Sequence, residues 1–205
     1  MRSFFAFVAL FLACTSFAQE GYDVGYIVTN AGDTVKGKIK DRKYVAAPAN
    51  WDKISFIDSS GEEKSKTPDE IKLYCKKGKM FFRSLPIGLE AKLKFAEILE
   101  YGDVILFGCV SNSFVSLAGD ALSKSLDTKK DSKSAAKITT EYFFQKRKDA
   151  NSLMKVRPKQ WERTATFFFQ DDEDLVQKIE SKTLKYEDIC AVVKTYNERV
   201  AAKNK

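Results

Sequence analysis

Phe95-Ala96-Glu97-Ile98-Leu99-Glu100-Tyr101-Gly102-Asp103-Val104-Ile105-Leu106-Phe107-Gly108-Cys109-Val110 decides the fold class. Two apolar runs, Phe95 to Leu99 and Val104 to Val110, flank the turn Tyr101-Gly102-Asp103. A short continuous apolar run bounded by turn residues is a strand buried on both faces, so this pair is expected at the sheet centre and marks the folding core.

Upstream, the pattern stays β. Tyr22 to Thr29 and Thr34 to Ile39 flank the turn Asn30-Ala31-Gly32-Asp33 and read as a hairpin. Val35, Gly37 and Ile39 fall on one face of its second strand, and Lys36, Lys38 and Lys40 on the other. Such a lysine row either keeps a sheet edge soluble or forms an anion-binding stripe, and edge protection is the commoner use. Lys53 to Ile57 is a further strand ending at Asp58-Ser59-Ser60-Gly61, and Pro68-Asp69-Glu70 makes one helical turn. Lys72 to Tyr74 and Met80 to Arg83 flank the turn Lys76 to Lys79.

Downstream, residues 111–137 turn to Ser, Lys, Asp and Ala and read as a polar, lysine-rich, mobile insertion. Ile138 to Gln145 and Leu153 to Val156 return to strand character across the turn Lys148 to Asn151. The period then becomes helical. Pro158 opens a helix with Trp161, Ala165 and Phe168 on one face. Asp171 to Asp174 cap a second helix running to Lys182, and a third spans Glu187 to Ala201 with Ile189, Val192, Val193, Tyr196 and Val200 at core spacing. The fold class is therefore α+β: a body of short antiparallel strands over 22–156, then a tail of about three helices over 158–201, expected as one domain covering 19–205.

Residues 1–18 read as a signal peptide. Met1-Arg2 begins with a positive charge, Phe4 to Ala13 is apolar but too short to span a bilayer, and Ser16-Phe17-Ala18 presents the small residues a signal peptidase accepts. Cleavage between Ala18 and Gln19 exports the chain to the periplasm or outer envelope, and no membrane-spanning segment follows. The alternative takes Phe11-Leu12-Ala13-Cys14 as a lipobox and makes the protein a lipoprotein anchored at Cys14. Cys75, Cys109 and Cys190 remain, an odd number without a Cys-x-x-Cys pair, so no disulfide framework, zinc knuckle or redox motif is expected.

Gly25-Tyr26-Ile27-Val28, Gly32-Asp33-Thr34-Val35 and Gly37 resemble the opening of uncharacterised exported proteins of Bacteroidetes-type bacteria. Leu175, Lys178-Ile179, Tyr186, Asp188-Ile189, Val192-Val193 and Tyr196-Asn197 are similar to the helical ending of the same group. The resemblance implies a Gram-negative envelope location. It carries over no catalytic residue, and the insertion after Val110 departs from it.

The 205 residues, 44% hydrophobic and 31% charged, contain no histidine. That excludes Ser-His-Asp and Cys-His catalysis, histidine-based metal or haem sites, and an imidazole general base. Ser152 and Lys155, like Ser134 and Lys137, have Ser-x-x-Lys spacing, but chance supplies about as many pairs. The carboxylates of 171–174 lack the spacing and glycine of a calcium loop and are better read as helix caps. No glycine-rich phosphate loop occurs, so no cofactor is expected.

Charge is the remaining signal. Without Arg2, the Lys and Arg total falls from 35 to 34 against 28 Asp and Glu, a net +6, and residues 123–148 hold eight positive and three negative side chains. Lys124, Lys129, Lys130, Lys133, Lys137, Lys146, Arg147 and Lys148 are therefore the candidate anion-binding residues, beside Tyr142, Phe143 and Phe144. Their expected partner is lipopolysaccharide, an acidic glycan or anionic lipid. Export weighs against nucleic acid, and Lys77 to Phe82 lacks an RNA-binding signature. The expectation is a non-enzymatic envelope protein. A histidine-independent enzyme and a module that pairs a peptide strand at an open sheet edge stand as alternatives.

Overall fold

The computed structural model describes residues 21–41, 53–88, 90–113 and 137–204. The first hairpin joins β1 (Asp23–Thr29) to β2 (Thr34–Asp41) through the turn expected at Asn30 to Asp33, where Thr29 N–H donates to Asp33 at 2.9 Å. Next come β3 (Ile54–Ile57) and β4 (Glu63–Lys66). The strand β4 was not expected. Glu-Lys-Ser-Lys shows no apolar alternation, and its place at the outer edge requires none.

β5 (Ile71–Lys76) and β6 (Met80–Ile87) meet at Lys77-Gly78. Both turn residues have positive φ, 54° and 67°, and with Lys79, whose N–H donates to the Lys76 carbonyl at 3.1 Å, they make the three-residue connection between the paired Lys76 and Met80. The sheet continues as a meander through β7 (Lys92–Glu100), β8 (Val104–Ser113), β9 (Lys137–Lys146) and β10 (Met154–Val156). All ten strands are antiparallel to their neighbours, in the order β10-β9-β8-β7-β6-β5-β1-β2-β3-β4.

That order forces a curl. In a flat sheet β4 and β5 would lie four strand spacings apart, about 19 Å. Yet only Thr67 to Glu70 connects them, wound into one helical turn in which Glu70 and Ile71 N–H donate to the Thr67 carbonyl at 3.1 and 3.3 Å. A turn so compact cannot reach that far, so β1 to β5 must roll. The Ser84 hydroxyl donates to the Pro68 carbonyl at 2.7 Å, and the Asn30 amide donates to the Asp69 carbonyl, which pins the connection. Inside the roll lie Ile27, Ile39, Ile54, Phe56, Ile71, Tyr74, Phe82 and Phe95. Tyr74 stacks on Phe82 at 4.5 Å and meets Phe95 edge-on at 5.0 Å.

The lysine row of β2 does point away from this core, with Lys36 and Lys40 exposed and Ile39 fully buried. It does not guard an edge, because β2 pairs with β1 and β3. Its charge solvates the outer surface of the roll instead.

The other half of the sheet uses helices. After a 3-10 turn at Pro158–Gln160 come α1 (Trp161–Phe168) and α2 (Glu173–Glu180), and a second 3-10 turn at Tyr186–Asp188 leads into α3 (Ile189–Lys203). The expected faces are the buried ones: Trp161, Ala165 and Phe168 on α1, Leu175 and Ile179 on α2, Ile189, Val192, Val193 and Tyr196 on α3. They close over Val104, Leu106, Phe144 and Val156. The Phe144 ring meets Phe168 at 5.1 Å, Phe169 at 5.5 Å and Trp161 at 6.4 Å. Fully burying one such side chain contributes about 1.5 to 3 kcal/mol, so this aromatic cluster is a main tie between sheet and tail.

Opposite the helices, Leu85, Ile87, Ala96, Ile105, Phe107, Cys109 and Phe143 form a third buried cluster. The strand β8 is thus buried on both faces, as its continuous apolar run demanded. It is third from the β10 edge, and the middle pair of the sheet is β6 and β5. Two boundaries also move: Ser111 to Ser113 and Lys137 belong to β8 and β9, paired up to Ser113 opposite Lys137. The rest of the expected insertion, 114–136, lies outside the described residues.

The tail is locked by one amide. Asn197 on α3 accepts from Val104 N–H at 2.9 Å and donates to the Val104 carbonyl at 2.8 Å, engaging that backbone as a strand neighbour would. The approach needs Gly102, where a Cβ would sit 2.3 Å from Asn197 Cγ.

Candidate functional site

Of the eight candidate cations, Lys124, Lys129, Lys130 and Lys133 lie outside the described residues, as do Cys14, Ala18, Gln19 and Ser134. The structure separates the others. Lys137 and Lys146 stand at the two ends of β9, nine residue steps apart, which at about 3.4 Å per step is roughly 30 Å. Lys146, Arg147 and Lys148 gather at the end where β9 turns toward β10, while Lys137 marks the end from which 114–136 departs.

Arg147 N–H donates to the Asp103 carbonyl at 2.8 Å, which ties this end to the turn between β7 and β8. That turn presents Tyr101, 61% exposed, and the Arg147 guanidinium lies 5.4 Å from its ring centroid. On the helical side, the Lys146 ammonium lies 5.4 Å from the ring centroid of Phe167, itself 52% exposed. Lys146 and Arg147 form no ion pair among the described residues, and their charged groups lie beside rings that are only partly buried. Lys146 is half-buried along its stem, and Arg147 and Lys148 are exposed.

Phe167 extends the surface along α1. Lys159, Arg163 and Phe167 are four residues apart and all exposed, on the rim of a shallow depression of about 650 Å³ that Glu162 and Glu180 also line. The expected neighbours Phe143 and Phe144 are core residues, and Tyr142 is half-buried against Tyr186. Sequence reasoning missed Phe167 and Tyr101. The signal was present: Phe167 falls out of phase with the buried stripe Trp161, Ala165 and Phe168, so it must face outward.

The other constellations are occupied. Ser152 lies in a 3-10 turn, Ala150–Ser152, and not on a strand; its hydroxyl donates to the Asp149 carbonyl at 2.6 Å and accepts from Lys146 N–H at 2.7 Å. Lys155 holds Glu141 at 2.6 Å. Each member of the pair is engaged elsewhere.

The acidic run 171–174 is structural. Asp172 caps α2 by accepting from Leu175 N–H at 3.1 Å and also pairs with Arg199 at 2.7 Å. Asp174 takes Lys178 at 2.9 Å and Arg199 at 2.8 Å, and these hydrogen bonds hold its carboxyl below the ordinary range. Asp171 accepts the Tyr196 hydroxyl at 2.9 Å; burial first, then this bond, pushes the Tyr196 phenol upward. Of the described cysteines, Cys75 and Cys109 are buried and Cys190 is exposed.

Among the described residues no helix is long and apolar enough to cross a membrane. Compared with protein-family models, with curated proteins and with solved structures, the chain gives no match.

Proposed function

We propose that the chain is an exported, non-enzymatic protein of the Gram-negative envelope that binds an anionic envelope component at the end of the sheet carrying Lys146, Arg147 and Lys148. The observation that carries this reading is that Lys146 and Arg147 lie over exposed rings and form no ion pair among the described residues. A cation that pairs with no carboxylate among the described residues keeps its field available to an incoming anion. The engagement of Ser152 and Lys155 with other groups removes the one nucleophile pair the sequence offers on described residues. The amino-terminal signal supports the compartment.

The test uses chain beginning at Gln19 and three probes: lipopolysaccharide, polygalacturonate, and vesicles containing phosphatidylglycerol. The wild type binds at least one at low salt, with affinity falling as salt rises, and the triple variant Lys146→Gln, Arg147→Gln, Lys148→Gln binds at least tenfold more weakly, since each surface cation contributes about fivefold. No binding to any probe, or equal binding by the triple variant, overturns the reading. Mass spectrometry of envelope fractions settles the compartment: a chain starting at Gln19 or an acylated Cys14 is expected, and a retained Met1 in the cytoplasm refutes export.

A further inference from the structure

We infer that this end of the sheet seats on an anionic phospholipid bilayer, with Phe167 and Tyr101 entering the headgroup and acyl boundary and Lys146 and Arg147 meeting the phosphates. The inference rests on the envelope reading above and names the ligand of the same surface. Two of the four large hydrophobic side chains left exposed among the described residues are these rings, and each carries a cation 5.4 Å from its centroid. Each positive group therefore stands beside an apolar one at the surface. A lipid surface offers a partner for both, with phosphate charge outermost and hydrocarbon just beneath.

A soluble acidic glycan matches the charge but not the rings. It has no hydrocarbon layer to receive a benzyl group, and the cation on each ring occupies a face that a stacking sugar would use. The spacing adds a second line. Lys159, in the 3-10 turn before α1, and Arg163, one helical turn before Phe167 on α1, line the same depression as the ring, so two further cations stand near it. Glu162 and Glu180 line the same depression and oppose anionic headgroups, which weakens the seat without abolishing it. The surface holds too few apolar groups for permanent insertion, and the binding is peripheral and salt-sensitive.

The experiment is flotation of chain beginning at Gln19 with phosphatidylcholine vesicles, with and without phosphatidylglycerol. The wild type floats with the anionic vesicles alone. The double variant Tyr101→Ser, Phe167→Ser loses at least tenfold in vesicle affinity while its circular-dichroism melting curve is unchanged, because both rings are more than half exposed. Glu162→Gln gains about fivefold. In Phe167→Trp, the added indole emission shifts to the blue on anionic vesicles.

Equal flotation of the double variant, or no blue shift, overturns the seat. Binding to polygalacturonate that depends on Lys146 and Arg147, without flotation, overturns the lipid inference and leaves the envelope reading standing. Failure with every probe removes both.

Discussion

The rolled half and the helical half of this sheet solve the same problem differently. Strands β1 to β6 bury one face by curling until Ile39, Phe56, Tyr74 and Phe82 meet each other, so their core is built by neighbours along the sheet. Strands β8 to β10 instead wait for another layer, and Val104, Leu106 and Phe144 are covered by α1 to α3 from the far end of the chain. The first solution asks the sequence only for alternation and well-placed turns. The second asks two distant segments to agree.

The sharpest way to break this contrast is one truncation in each core. Phe144→Ala and Phe56→Ala are each expected to cost about 3 to 5 kcal/mol in chemical denaturation, since both rings are deeply buried. Native-state hydrogen exchange separates them: Phe144→Ala accelerates exchange in β8 to β10 and the helices, while Phe56→Ala accelerates it in β1 to β5. Uniform acceleration by both would mean that the two halves open as one unit.

A smaller effect is expected at the latch. Asn197→Ala leaves the Val104 N–H and carbonyl without their partners and costs about 1 to 3 kcal/mol, with faster exchange at the Val104 amide. The matching change in the roll, Ser84→Ala, removes one hydroxyl bond to Pro68 and costs about 1 kcal/mol. Equal losses would remove the distinction between a docked tail and a self-closing sheet.

The smallest effects are those of pH. In the roll, the Thr67 backbone N–H holds the Glu70 carboxyl low; in the tail, Lys178 and then Arg199 do the same for Asp174. A carboxyl depressed in the folded state contributes stability above its unfolded pKa of about 4 and loses it as pH falls through the folded value. Melting temperature should therefore decline below about pH 4, and Glu70→Gln and Asp174→Asn should each flatten that decline. A steeper decline in either variant would reverse the sign.

Much of this architecture was readable residue by residue. The hairpin at Asn30 to Asp33, the Lys77-Gly78 turn and the three helical stripes follow from local chemistry that nothing distant overrides. The strand β4 was not readable, because a polar edge strand is defined by its partner β3 and by no periodicity of its own. The curl was hidden for a related reason: it arises from the shortness of Thr67 to Glu70 relative to the strand order, and strand order is not local.

The candidate site shows the same limit. Counting charge over 123–148 suggested one patch, but a ten-residue strand holds Lys137 far from Lys146, and the rings beside Lys146 and Arg147 come from α1 and the turn between β7 and β8. Proximity in sequence concentrated what extended backbone then dispersed.

The Asn197 grip on Val104 spans 93 positions, and it bears on the order of events during synthesis. Ribosomes deliver the chain from its amino end, so every described strand emerges before α3 exists. Through that interval Leu106, Phe144 and Val156 present an uncovered greasy face, and the nascent sheet is adhesive until its final fifteen-residue helix arrives. A chain stalled short of Asn197 therefore leaves that face uncovered, and it is expected to aggregate more readily than the full sequence.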